Sequence, residues 1–95
     1  MASSQIREIV FDRGFEKKFE KYKGRLSEKE RQKLKSRLLI FQKNPFDARL
    51  ETHKLGGKLQ DYWAFSITYS DRIAFRFLSE YKVFFIDIGD HRIYR

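Results

Sequence analysis

The chain is 95 residues long, carries 21 Lys and Arg against 13 Asp and Glu for a formal net charge of +8, and has no cysteine. That length allows one domain with one core. The absence of cysteine excludes a disulfide framework and any cysteine-ligated zinc or iron–sulfur site, so the fold must rest on packing. The charge points to a polyanion or an acidic protein as partner. No run of residues approaches the ~18 apolar positions of a membrane span, and the N-terminal Met1-Ala2-Ser3-Ser4-Gln5 lacks the apolar stretch of a signal peptide, so a cytoplasmic protein with no membrane association is expected. Ten Phe, five Tyr and one Trp are enough to fill a small core.

In chain order, Ile6 to Phe11 reads as a first strand, with Arg7 and Glu8 suited to a sheet edge. Asp12 is a helix N-cap, and Phe15, Phe19 and Tyr22 recur at helical spacing up to Gly24. Ser27 and Glu30 form a capping box opening a second helix with Leu34, Leu38 and Phe41 on one stripe, stopped at Asn44 by Pro45. These two helices should pack as a hairpin on one face of a sheet, with solvated basic outer faces. From Phe46 to Gln60 runs a long connecting segment, of the kind that tends to be functional or mobile.

Then come three runs of period-two patterning. Tyr62 to Tyr69, Arg72 to Leu78 and Lys82 to Ile88 are rich in aromatic and β-branched residues and separated by hairpin-sized gaps, which predicts an antiparallel meander. If Ser70-Asp71 is a tight loop, Tyr69 lies opposite Arg72 and Phe65 opposite Arg76. One face would then hold Trp63, Phe65, Tyr69, Arg72 and Arg76 together, which is either a seat for an RNA strand with phosphates on the arginines and bases on the rings, or two solvated arginines whose stems cover the rings. The fold expected is α+β: a small antiparallel sheet of about four strands with an N-terminal helical hairpin, in one domain spanning residues 1–95.

Four stretches carry a resemblance to a known family. His53-Lys54-Leu55-Gly56-Gly57-Lys58-Leu59, Tyr62-Trp63-Ala64-Phe65-Ser66, Arg72-Ile73-Ala74-Phe75 and Ile88-Gly89-Asp90-His91-Arg92-Ile93-Tyr94, in this order and at this length, resemble the RelE/ParE superfamily of toxin–antitoxin toxins. The resemblance implies an antiparallel sheet with a helical hairpin. For the RelE-, YoeB- and YafQ-like branches it implies an endoribonuclease that cuts mRNA in the ribosomal A site without metal or other cofactor. Attack by a ribose 2′-hydroxyl on the adjacent phosphate needs a base, a cation on the phosphate and an acid for the leaving oxygen. Matched to the family, His53 is the expected base, Arg72 the phosphate clamp, His91 the acid or, in a reversed pose, the base, and Tyr94 the aromatic that positions the cleaved nucleotide. Lys54, Lys58, Trp63, Arg76 and Arg92 are the expected RNA contacts. The chain departs from YafQ-like members at Ser66 and Ser70, near where those carry histidine and acidic residues.

The partners implied are mRNA, the ribosome and an acidic, partly disordered antitoxin that covers the basic face, with the free protein a monomer. Two other readings share the fold: a ParE-like gyrase-binding toxin without nuclease chemistry, and a degenerate member that only binds antitoxin or RNA. The constellation of His53, Arg72, His91 and Tyr94 favours the nuclease, since a gyrase binder needs no acid–base pair.

Overall fold

A computed structural model describes residues 5–90. β1 (Glu8–Phe11) leads into α1 (Arg13–Gly24) and α2 (Glu28–Lys43), followed by β2 (His53–Lys54), β3 (Trp63–Ser66), β4 (Asp71–Phe77) and β5 (Lys82–Asp90), with 3₁₀ turns at Ala48–Leu50 and Gly57–Leu59. The strands make one five-stranded sheet in the order β1-β5-β4-β3-β2. β1 runs parallel to β5 and every other neighbouring pair is antiparallel, so the α+β architecture is as expected while the sheet is mixed and one strand larger. Parallel neighbours need a long connection. Here the chain between β1 and β5 supplies it, beginning with the helical hairpin laid on one face of the sheet.

The helix boundaries follow from their caps. The Asp12 carboxylate accepts from the Gly14 N–H at 2.9 Å, and a Cβ on Gly14 would sit 3.2 Å from that carboxylate, so glycine keeps the approach open. At the second helix the Ser27 hydroxyl accepts from the Glu30 N–H while the Glu30 carboxylate accepts from the Ser27 N–H, which closes the capping box. α2 ends where Asn44 turns extended ahead of Pro45.

Between helices and sheet lies the main core, an aromatic stack centred on Phe41. Its ring lies on Phe65 at a centroid distance of 4.3 Å and meets Phe75 and Phe85 edge-on at 5.0 and 5.5 Å. Phe15 adds a further edge contact to Phe85. A second, smaller core occupies the opposite face: Leu55, Leu59 and Tyr62, from the segment that crosses over the sheet, pack on Ala64, Ala74 and Ile86. Small residues at 64 and 74 leave room for that covering loop.

The β3–β4 register differs from the expected one. Arg72 faces Ser66 rather than Tyr69, a slip of three residues, and an odd slip exchanges the two faces of a strand. Two causes can be named. The Thr68 hydroxyl accepts from the Asp71 N–H at 3.0 Å and the Asp71 carbonyl accepts from the Ile67 N–H at 3.0 Å, so residues 67–70 close a wider loop. The observed register also sets Trp63 and Phe65 beside Phe75 and Ile73 on the helix-facing side, burying the most apolar side of both strands in one core. The tight-loop register would have put them on opposite faces.

Candidate active site

Cross-strand partners share a face, as do alternate residues along a strand. His53 faces Ala64, Ala64 faces Ala74, and one step along, Ser66 faces Arg72, which in turn faces Gly89. His53 and Arg72 therefore stand on the same face, the one turned away from the helices. Two strand spacings across and two residues along place their Cα atoms roughly 12 Å apart.

His53 is exposed and held by the turn before it. Glu51 adopts a left-handed conformation, with φ 51° and ψ 38°, which side chains other than glycine and asparagine rarely take. That turn directs its carbonyl oxygen to within 3.0 Å of His53 Nδ1 and its carboxylate to the Ser66 hydroxyl at 3.1 Å. A carbonyl only accepts, so the proton sits on Nδ1, and in the neutral ring Nε2 carries the free lone pair. The strained Glu51 backbone thus fixes the tautomer a general base requires.

Arg72 is half-buried at the start of β4. Its Nη1 donates to the carbonyls of Asp71, Tyr69 and Thr68 at 3.2, 3.3 and 3.4 Å, and among the described residues all its hydrogen bonds run through that one nitrogen. Nε and Nη2 keep their N–H groups for an anion. The hairpin carrying it is tied to α1, because the Tyr22 hydroxyl donates to the Asp71 carboxylate at 2.7 Å. Burial first, and then that bond, push the Tyr22 phenol well above its ordinary value.

Beyond Ser66 the covering loop ends and the sheet opens into a cavity of about 730 Å³, lined among others by Arg37, Arg49, Glu51, Ser66, Tyr69 and Arg72. Arg37 of α2 donates to the Arg49 carbonyl at 2.6 Å. The Arg49 guanidinium grips Asp47 through two bonds of 2.9 Å and lowers the Asp47 carboxyl to about 2.

The other expected site residues distribute as follows. Arg76 is exposed on the same face as Arg72, its guanidinium 6.0 Å from the Tyr62 ring, and Lys58 is exposed on the covering loop. Trp63 requires a correction: the register slip puts it on the helix-facing side, edge-on to Phe46 at 5.2 Å and Phe77 at 6.1 Å, away from Arg72 and Arg76. Phe65 is likewise buried in the core, and Tyr69 stands at the hairpin tip, fully exposed. Lys54 goes with Trp63, its ammonium 5.8 Å from the indole. His91, Arg92 and Tyr94 lie outside the described residues. Among the described residues no group of three His, Cys, Asp or Glu side chains is placed to hold a metal ion. Glu51, Arg37 and Arg49 border the site without having been singled out for it in the sequence, and Tyr69, expected on the RNA-binding face, borders it too.

No protein-family model matches the chain, and no curated protein matches it by sequence. Solved structures do match it. A YoeB/ParE toxin from Agrobacterium tumefaciens superposes with a TM-score of 0.71 at 20% identity, covering 90% of this chain and 99% of that one. YafQ in the Escherichia coli DinJ–YafQ complex gives 0.66 at 21% identity over 92% and 96%, and the YoeB dimer of Staphylococcus aureus gives 0.68 at 15% over 88% and 95%. The chain has the fold of the YoeB and YafQ toxins, which is the architecture its resemblance to the RelE/ParE superfamily implied.

Proposed function

We propose that this protein is the toxin of a toxin–antitoxin pair and cuts mRNA on translating ribosomes in the cytoplasm. One observation carries the reading: among the described residues, His53, with Nδ1 tied to the Glu51 carbonyl and Nε2 free, stands on the same sheet face as the half-satisfied guanidinium of Arg72. A pure protein-binding toxin needs neither feature.

In the reaction, His53 Nε2 takes the proton of a ribose 2′-hydroxyl. The freed oxygen attacks the adjacent phosphorus, Arg72 pairs the non-bridging oxygens through Nε and Nη2, and the bond to the 5′-oxygen breaks. His91 returns a proton to that oxygen. The products are a 2′,3′-cyclic phosphate and a 5′-hydroxyl, and the step is balanced without metal or water. Loss of a positioned base costs about 10²- to 10⁴-fold in rate, and loss of a phosphate donor about 10²- to 10³-fold. Tyr94 positions the cleaved nucleotide, while Lys58, Arg76 and Arg92 contact the RNA backbone. Lys54 and Trp63, on the far face, take no part in this scheme.

The partner that silences it is an acidic antitoxin, as YafQ is held by DinJ in their complex, and the free protein is a monomer. Primer extension on an mRNA held in translating ribosomes tests the reading, with wild type, His53→Ala, Arg72→Ala and His91→Ala compared. Cuts at fixed codon positions, present with ribosomes and lost in the variants, are the expected result. A wild-type protein that arrests growth without cutting sinks the nuclease reading, and a gyrase supercoiling assay then decides for the ParE-like alternative.

A further inference from the structure

The cavity that opens beside Arg72 does not end at the candidate active site. A second cavity of about 330 Å³ lies between α2 and the β3–β4 hairpin tip, and it shares Arg37, Thr68 and Tyr69 with the first. Together they form one cleft, running from Arg72 past the hairpin tip to Lys33 on the outer face of α2. Its ionic lining is Arg72, Arg37, Lys33 and Arg49, the last already paired with Asp47, against Glu51 and Glu30. Each of those carboxylates already accepts a hydrogen bond from the protein itself, Glu51 from the Ser66 hydroxyl and Glu30 from the Ser27 N–H. At the junction stands Tyr69, which is 100% exposed. An aromatic ring held wholly in water, at the waist of a basic cleft, loses apolar burial with no compensation in the fold.

We propose that this cleft binds the single-stranded RNA flanking the cleaved nucleotide, with one base stacked on Tyr69 and a backbone phosphate on Arg37. Base–aromatic stacking beside a basic groove is how proteins hold single strands without reading sequence. Arg37 is suited to the phosphate because it is half-buried and anchored through one nitrogen to the Arg49 carbonyl, which keeps the guanidinium facing the cleft. RNA is favoured over an acidic peptide because a flat exposed ring offers a face to every base, whereas carboxylate side chains have no use for one. The subsite rests on the nuclease reading for its substrate, and its own test is separate from cleavage.

The experiment is fluorescence anisotropy with a labelled, 2′-O-methylated single-stranded hexanucleotide, which the protein cannot cut, over a salt series. Wild type, Tyr69→Ala, Tyr69→Phe and Arg37→Ala are compared, with thermal melts as a folding control. Tyr69→Ala should bind roughly tenfold more weakly and Tyr69→Phe like wild type. Arg37→Ala should bind more weakly with a salt slope shallower by about 0.7. On the proton spectrum, the Tyr69 ring signals should move upfield with RNA in wild type. Equal affinity of Tyr69→Ala and wild type, or no binding by wild type at low salt, overturns the subsite whatever the primer-extension result. A decaglutamate peptide that binds as tightly as the RNA and loses the same factor in Tyr69→Ala also overturns it, in favour of a protein partner. RNA binding with the expected losses, in a protein that cuts nothing, leaves the subsite standing and removes the nuclease.

Discussion

Replacing Tyr22 by phenylalanine removes one hydroxyl from the joint between α1 and the hairpin that carries Arg72. The ring remains, so no cavity opens, and the change isolates the 2.7 Å bond to the Asp71 carboxylate. A hydrogen bond to a charged group contributes about 1.5–3 kcal/mol, and because Asp71 is half-exposed and water replaces part of the loss, the lower end, about 1.5 kcal/mol, applies. In a domain of this size that is a fall of roughly 6–12 °C in Tm. Asp71 also faces Asp90 across β4 and β5, so removing a donor sharpens an unfavourable like-charge pairing. The pH dependence supplies a second, sharper sign. The phenol of Tyr22 is raised in the folded state, first by burial and then by the Asp71 bond, above its ordinary 10.0. Its contribution is therefore fully present below pH 10 and is lost as pH rises toward the folded value, because the unfolded chain ionises first. The phenylalanine variant has no such titration. Thermal melts of both proteins, from neutral pH to about pH 11, should show a gap that is constant up to pH 10 and narrows above it. A Tm gap below about 2 °C at neutral pH, or one that does not narrow in alkali, would refute this account of the joint.

Phe41→Ala empties the centre of the aromatic stack and should cost about 3–5 kcal/mol, enough to leave much of the protein unfolded at 37 °C by circular dichroism. Ser27→Ala removes half of the capping box and should lower the urea midpoint by an amount equal to about 1 kcal/mol with the slope unchanged. The Asp47 carboxyl should titrate by NMR at about 2, and Arg49→Ala should return it toward 3.8; what that pair adds to stability is present above pH 3.8 and lost as pH falls through about 2. Glu51→Ala keeps the left-handed strain and strands the buried Ser66 hydroxyl, costing about 1 kcal/mol in urea melts, whereas Glu51→Gly relieves the strain and should be close to neutral.

What the sequence made legible is what local chemistry decides. Asp12 and Ser27 announce their helices because a cap needs only residues within one turn, and Pro45 ends α2 for an equally local reason. The period-two runs name β3, β4 and β5 because burial on one side repeats every second residue. The parallel pairing of β1 with β5 and the two-residue β2 were not visible, since both are set by where distant strands leave an open edge. Nothing local distinguishes His53-Lys54 from the loop around it until β3 lies alongside.

Register is where the site reading turned. Ser70-Asp71 looks like a tight turn, and counting from it groups Trp63 with the arginines. Two period-two strands could instead have been aligned by their apolar sides, Trp63 and Phe65 against Ile73 and Phe75, which fixes the parity whatever the length of the turn. That rule sends the aromatics into the core and leaves Arg72 and Arg76 on the outer face with His53, Ala64 and Ser66. The outer face is therefore less aromatic than the tight-turn count suggested, and over Ala64 and Ala74 it is closed by Leu55, Leu59 and Tyr62. Past that cover the face opens beside Ser66 and Arg72, with His53 on the edge strand. The exposed ring that remains near it is Tyr69, carried to the hairpin tip by the same widening of the loop that shifted the register. One slip of three residues thus took the tryptophan away from the arginines and placed the tyrosine at the mouth of their cleft.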